Sequence, residues 1–193
     1  MLKKVVFLDR DGVINKDSSD YIKSRQEFEF LPKSIEAIRN FTLNGFTVII
    51  ITNQSAINRG LTTLQEIMHI HEMMVETVKS RGGLIKDVFF CPHTPEEGCI
   101  CRKPETGLIR KAQKKYNIDL ACSAMVGDSV KDIECAKSAG CRYAVLVKTG
   151  NGKKSEKTLL KKIDLPNSLP DHVSRDLFDA SHWIINRFDR HFS

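Results

Sequence analysis

Three short apolar runs in this chain each break off at a group that carries chemistry. Val5–Leu8 runs into Asp9-Arg10-Asp11-Gly12, Phe46–Ile51 into Thr52-Asn53-Gln54-Ser55, and Ala124–Val126 into Gly127-Asp128. Runs this short and apolar, bounded by polar or glycine turns, predict strands buried on both faces. Val88–Phe90, leading into Cys91, and Tyr143–Val147 are two more of the same kind. The stretches between them carry a helical period, so consecutive strands are joined by crossovers rather than tight hairpins. That alternation predicts an α/β chain with a Rossmann-like parallel sheet and helices on both faces, three layers in all. In such a sheet ligands bind at the carboxyl ends of the strands, which is where the polar clusters fall.

The helical stretches have readable ends. Pro32 opens a pattern with Ile35, Ile38 and Phe41 on one face, closed by Gly45. Thr63-x-x-Glu66 has the form of a capping box and starts a helix carrying Ile67, His71, Met74 and Val78, stopped at Gly82-Gly83. Leu108–Tyr116 and Val130–Ala139 follow, and a last helix is expected around Ser181–Phe188. His71 shares the apolar stripe of its helix and reads as a satisfied core or boundary histidine; neither it nor His69 is given a role. Trp183 reads as a packing anchor.

The 193 residues suit one domain spanning 1–193. The unbroken apolar runs, such as Val48–Ile51 and Tyr143–Val147, are far short of a membrane span. The opening from Met1 to Asp9 lacks the long apolar region and cleavage site of a signal peptide. Thirty Lys plus Arg against 24 Asp plus Glu leave a charge of +6, which permits an anionic partner without selecting one. The lysines of Lys153–Lys162 read as a solvated loop or helix face.

Asp9, Asp11 and Asp128 converge on one sheet edge, where carboxylates repel unless a cation or proton intervenes. Oxygen-only ligands of this kind suit Mg²⁺. A single Asp-x-Asp-Gly could be a turn and nothing more. Joined by Thr52-Asn53 and Gly127-Asp128 in order, it reads as a site.

Four motifs then resemble the haloacid dehalogenase superfamily of phosphatases. They are Phe7-Leu8-Asp9-Arg10-Asp11-Gly12, Ile51-Thr52-Asn53-Gln54, Arg102-Lys103-Pro104, and Val126-Gly127-Asp128-Ser129-Val130-Lys131-Asp132. The likeness covers nearly the whole chain, with Ser129 standing where many relatives carry Lys. It implies a phosphomonoester hydrolase with the superfamily fold and no large cap domain. Asp9 is then the nucleophile that forms an aspartyl-phosphate. Asp11 is the general acid and base. Mg²⁺ is held by Asp9, Asp128 and the backbone carbonyl of Asp11. Thr52, Asn53 and Gln54 contact the substrate, and Lys103 stabilises charge on the phosphoryl oxygens. Asp132, one helical turn after Asp128, stands behind the metal rather than on it.

Cys91, His93, Cys99 and Cys101 place three sulfurs and an imidazole within eleven positions. Cysteines one residue apart cannot readily bridge each other, and disulfides leave His93 unexplained. The set fits a closed tetrahedral structural zinc site in a loop at 91–101. Zinc there fixes the segment presenting Arg102 and Lys103. Cys122, Cys135 and Cys141 read as small buried residues, and the cysteine usage as a whole points to the reducing cytoplasm.

The zinc loop resembles the branch of the superfamily that holds the heptose 1,7-bisphosphate 7-phosphatases and the histidinol-phosphate phosphatases. Gln54-Ser55-Ala56-Ile57-Asn58-Arg59-Gly60 is similar to the heptose enzymes' stretch, with Ala56 and Asn58 as departures. The five residues between His93 and Cys99 are the short spacing familiar from the histidinol-phosphate side. Arg59 decides for the bisphosphate, because a second anionic group needs a cation away from the reacting centre, and Arg102 is placed to help. The small-molecule partner expected is a sugar phosphate, with histidinol phosphate as the alternative. Nucleic-acid end processing is a third possibility, disfavoured because no aromatic falls between Gly152 and Asp171 to stack on bases. No membrane partner is expected, and a monomer is favoured.

Overall fold

Alternate residues of the central strands point into two separate cores, one on each face of a six-stranded parallel sheet. The computed structural model describes residues 3–161 and 169–192, with side chains through 189. Met1, Leu2 and Lys162, which entered the reading of the leader and the lysine run, lie outside the described residues. The elements run β1 (Val5–Leu8), α1 (Ser34–Leu43), β2 (Thr47–Asn53), α2 (Leu64–Ser80), β3 (Ile85–Cys91) and α3 (Gly107–Tyr116). The second half continues with β4 (Ser123–Gly127), α4 (Val130–Ala139), β5 (Tyr143–Val147), α5 (Gly152–Leu160), β6 (His172–Ser174) and α6 (Leu177–Phe192). Strand order is β3-β2-β1-β4-β5-β6, every neighbour parallel.

Val6, Leu8, Val48, Ile50, Ala124 and Val126 form one core with α1, α2 and α6. Phe7, Ile49, Ile51, Met125 and Leu146 form the other with α3, α4 and α5. Strands covered on both faces have no polar side of their own, which is why their sequences read as continuous apolar runs. The order reverses at β1, which has β2 on one side and β4 on the other. The crevice at that switch point opens between the carboxyl ends of β1 and β4, beside Asp9 and Asp128.

Among the described residues no connection folds into a cap. The longest one described, residues 9–33, is loop with a single short 3₁₀ turn at Arg25–Glu27. No helix among the described residues is long and apolar enough to cross a membrane.

Local differences from the sequence reading have physical causes. Thr63 caps α2 by accepting from the Glu66 amide at 3.1 Å, but the reciprocal half of the box is missing: the Glu66 carboxylate lies toward His69, at 3.9 Å. Complete boxes form instead at Thr94/Glu97 and Ser129/Asp132. β6 has three residues, too few to show a period. The lysine run forms α5, buried through Gly152, Ser155 and Leu159, so its apolar stripe is nearly invisible in the sequence. α6 begins at Leu177, before the expected Ser181. Trp183 stacks on His172 at 4.6 Å and meets Tyr143 edge-on, tying α6 to β5 and β6.

Candidate active site

Parallel pairing brings the residue after β1 against β4: the Asp9 amide donates to the Val126 carbonyl at 3.0 Å. Asp9 Oδ1 then takes two donors, the Arg10 amide at 2.7 Å and Lys103 Nζ at 2.8 Å. Its Oδ2 accepts no hydrogen bond among the described residues. Lys103 is buried, and its ammonium also reaches Asp132 Oδ1 at 2.6 Å and the Ile51 carbonyl at 2.8 Å. An ammonium has three hydrogens, so this charge is fully partnered. Burial opposes its charge, but Asp132 and Asp9 outweigh that and raise its proton affinity. Asn53 fixes the segment that carries it, with Nδ2 donating to the Lys103 carbonyl at 3.2 Å and Oδ1 accepting its amide at 3.1 Å.

Asp128 sits in a cradle that only glycine permits. Gly12 and Gly150 have φ of 78° and 52°, and a Cβ on either would overlap the Asp128 carboxylate. The Asn151 amide donates to Asp128 Oδ2 at 2.7 Å. Carboxylate oxygens of Asp9, Asp128 and Asp132 lie within 4.8 Å of one another. Burial pushes the Asp9 carboxyl up to about 7 despite the pull of Lys103, and burial with Asp132 and Asp9 pushes Asp128 up to about 8. Packed acids that hold their protons this strongly are a site short of positive charge. Asp132 is already committed to Lys103 and to the Ser129 hydroxyl at 2.6 Å. Asp9 and Asp128 therefore remain for a hard divalent cation, and an all-oxygen set fits Mg²⁺.

Asp11 points to the same crevice but is held differently. Arg10 Nε and NH2 donate to its Oδ1 at 3.1 and 2.8 Å, and NH2 also to Oδ2 at 2.9 Å. Asn15 Nδ2 adds a bond to Oδ1 at 2.8 Å, and Gln54 Nε2 one to Oδ2 at 2.9 Å. Burial alone would raise this carboxyl, but Arg10 and these donors win and hold it below the usual carboxylate range. No linear pattern marks Arg10, Asn15 and Gln54 as partners of Asp11, because their contact depends on side-chain direction and on the fold.

The four residues expected to hold zinc come from the end of β3 and the loop behind it. His93 Nδ1 is 3.4 Å from Cys91 Sγ and 3.3 Å from Cys101 Sγ, and Cys99 Sγ is 3.5 and 3.4 Å from the same two sulfurs. All six cysteines are free thiols. Four soft or borderline donors closed around one point match a structural zinc site. Arg102, directly after Cys101, donates to the His93 carbonyl at 3.0 Å, so the loop and the segment that carries Lys103 are one unit.

These groups open onto a cavity of about 500 Å³. Asp9, Asp11, Asp128 and Lys103 line it, and Arg102, Lys131 and Lys154 supply further cations along its lining. The HAD-hydrolase-like family model matches residues 100–180. A D-glycero-β-D-manno-heptose-1,7-bisphosphate 7-phosphatase of Bordetella bronchiseptica is 43% identical over 79% of this chain and 84% of its own length. The protein of that name from Neisseria meningitidis serogroup A is 39% identical over 94% of this chain and 95% of its own. The chain belongs to this phosphatase family. Its fold agrees: the crystal structure of the B. bronchiseptica D,D-heptose 1,7-bisphosphate phosphatase, complexed with magnesium and phosphate, superposes with a TM-score of 0.86 at 39% identity, covering 95% of this chain and 99% of that one.

Within this phosphatase the residues expected at the reaction and the substrate fall into two groups. Asp9, Asp11, Thr52, Asn53, Gln54, Arg102, Lys103 and Asp128 all line the cavity. Gln54 is buried and spends its amide on Asp11 and on Thr52 Oγ1, 2.9 Å from each, so it braces both. Arg59 is elsewhere: it is not among the cavity-lining residues, and its guanidinium lies 3.7 Å from Glu96 on the zinc loop. Asn58 beside it donates to Glu97 at 2.9 Å, so the stretch after the second motif docks on the zinc loop. Lys154 belongs to the run expected to be a solvated face, and Lys131 stands in the fourth motif with no role of its own. Their place in the cavity depends on α4 and α5 both starting at the carboxyl edge, which their local sequence does not show.

Proposed function

We propose that the chain removes the 7-phosphate of D-glycero-D-manno-heptose 1,7-bisphosphate, in the cytoplasm, through an aspartyl-phosphate on Asp9. The observation that carries this reading is the distribution of cations in one cavity. Lys103 is locked beside the nucleophile, while Arg102, Lys131 and Lys154 are left to meet a second anionic group. A monophosphate has no use for the second set. The family's named substrate is a bisphosphate.

Asp9 and Asp128 would hold Mg²⁺, which would supply the positive charge that a carboxylate approaching a phosphate dianion needs. Asp9 Oδ2, free of donors, attacks phosphorus as the ester P–O bond breaks. Lys103 opposes the rise in proton affinity that burial gives Asp9 and orients the carboxylate through Oδ1. The incoming dianion raises the proton affinity of Asp11, which then carries a proton to the leaving sugar oxygen. As a carboxylate again, Asp11 takes a proton from water; the water oxygen attacks phosphorus, the Asp9–phosphorus bond breaks, and inorganic phosphate leaves. Thr52, whose hydroxyl oxygen accepts from Gln54, has its own proton to give to a phosphoryl oxygen.

The short His93-to-Cys99 spacing supports histidinol phosphate as the second reading. Measurement of kcat/KM on both anomers of the heptose bisphosphate, on histidinol phosphate and on a 3′-phosphorylated oligonucleotide tests all three. The heptose bisphosphate is expected to lead by at least about tenfold, the worth of one added ion pair in a desolvated site. Preference for histidinol phosphate would overturn the substrate assignment.

A further inference from the structure

Arg10 is fully buried, although it stands between two active-site aspartates. Its Nε and NH2 are used on Asp11. The remaining arm, NH1, turns away from the site and meets His71 Nε2 on α2 at 3.2 Å. A guanidinium donates at every nitrogen and accepts at none, so the facing ring nitrogen must offer its lone pair. His71 is thereby neutral, with its proton on Nδ1. Burial, with the positive charge of Arg10, pushes its proton affinity far down, to about 3, which agrees with that tautomer.

The surroundings leave the pair little freedom. His71 belongs to the buried stripe of α2 with Ile67, Ile70, Met74 and Val78. Its ring rests on Phe90 of β3, centroid to centroid 5.4 Å. Planar acceptors on both sides of Arg10, the Asp11 carboxylate and the His71 ring, then fix the plane of the guanidinium. That plane fixes both oxygens of Asp11, because Arg10 binds them as a fork.

We infer that His71 is a positioning residue for the reaction: by accepting from Arg10 NH1 it locks the guanidinium that aims the Asp11 carboxyl at the leaving oxygen. The inference rests on Asp11 acting as the acid of the first step. Without His71, a buried N–H loses its acceptor, Arg10 can rotate toward other partners, and Asp11 loses its aim.

Leaving-group dependence reads this directly. kcat/KM extends only to departure of the leaving group, so it is blind to the later hydrolysis of the aspartyl-phosphate. Phenyl phosphate, a poor leaving group, needs the proton; 4-nitrophenyl phosphate, a good one, needs it far less. Asp11→Ala is the reference, expected to lower kcat/KM for the phenyl ester by at least about 100-fold more than for the nitrophenyl ester. His71→Leu is expected to show the same signature at about a tenth of that size, with the loss in kcat rather than KM. His71→Gln, whose side-chain carbonyl can accept from Arg10, is expected to restore the wild-type ratio. His71→Asn, too short to span the gap, is measured in parallel and carries the expectation if the leucine variant does not fold. A folded His71→Leu or His71→Asn protein that loses activity equally on both esters, or loses none, overturns the inference. So does failure of His71→Gln to restore the ratio. Should Asp11→Ala also fall equally on both esters, the reading of Asp11 as acid fails first and the role of His71 with it.

Discussion

Lys103 Nζ lies 2.8 Å from Asp9 Oδ1, and neither group is shared with bulk solvent at that contact. Lys103 is 2% exposed and Asp9 13%. The carboxylate proposed as nucleophile is therefore half of a buried ion pair, and the other half is held on its far side by Asp132. Three elements meet here: β1 brings Asp9, the segment behind the zinc loop brings Lys103, and α4 brings Asp132. The chemistry depends on all three keeping register.

Lys103→Met is expected to cost about 3–5 kcal/mol of stability, because removing one partner leaves buried carboxylates uncompensated. Turnover should fall by at least about 100-fold with it. Denaturant unfolding and steady-state kinetics on the same preparation check both. A variant as stable as wild type would mean that Asp9 and Asp132 are neutral in the resting protein.

Asp9→Asn is expected to abolish phosphatase activity and leave the fold intact. In metal-free buffer it should melt no lower than wild type, since a buried carboxyl already pushed up to about 7 by burial gives way to a neutral amide. Activity persisting in this variant would remove Asp9 as nucleophile.

Magnesium binding should be linked to pH. Asp9 and Asp128 hold protons up to about 7 and about 8 in the fold, against 3.8 ordinarily. Between those values the unfolded chain binds fewer protons than the folded one, so metal-free stability falls as pH rises through that window. A cation that replaces those protons stabilises most where they are hardest to keep. The rise in Tm on adding Mg²⁺ should be small near about pH 5 and grow toward about pH 8. A pH-independent rise would separate the metal from these two carboxyls.

Cys99→Ser, or exposure to a zinc chelator, should lower Tm and activity together, because metal binding at such a loop contributes to folding free energy. The loss reaches the active site through Arg102, bonded to the His93 carbonyl, and through Asn53, clamped to Lys103. Protein purified without chelator should contain stoichiometric zinc by elemental analysis; its absence would remove the structural role of the loop.

Much of this site was legible because strand ends are where a parallel sheet must place its chemistry. Asp9, Thr52, Asn53 and Asp128 each follow or end an apolar run, and period and polarity are enough to find them. The motif behind the zinc loop could be read because its metal ligands have a spacing of their own. What stayed hidden depends on direction. Arg10 could have faced solvent or core, and only packing under α2 shows that it turns inward to His71 and Asp11. Arg59 carried the right charge, yet its side chain leaves the cavity for Glu96. α5 announced itself as a lysine run because its buried side is Gly152, Ser155 and Leu159, too small a stripe to stand out.

The same geometry moves the distal-phosphate test from Arg59 to Lys154. Lys154 lines the cavity from the first turn of α5, with Lys131 and Arg102 lining it as well, whereas Arg59 is occupied at the zinc loop. A second phosphate reaching Lys154 makes a charge-assisted contact that a monophosphate cannot. Lys154→Ala should therefore raise KM for the heptose 1,7-bisphosphate by about fivefold to tenfold while leaving KM for a sugar monophosphate within about twofold, the worth of one partly exposed ion pair. Arg59→Ala should weaken both substrates alike, through a looser zinc loop. Because phosphate contacts made across open water are screened, the Lys154 effect should shrink as ionic strength rises. Equal effects of Lys154→Ala on the two substrates would place the second phosphate elsewhere in the cavity, and a bisphosphate-selective effect of Arg59→Ala would return it to the loop after the second strand.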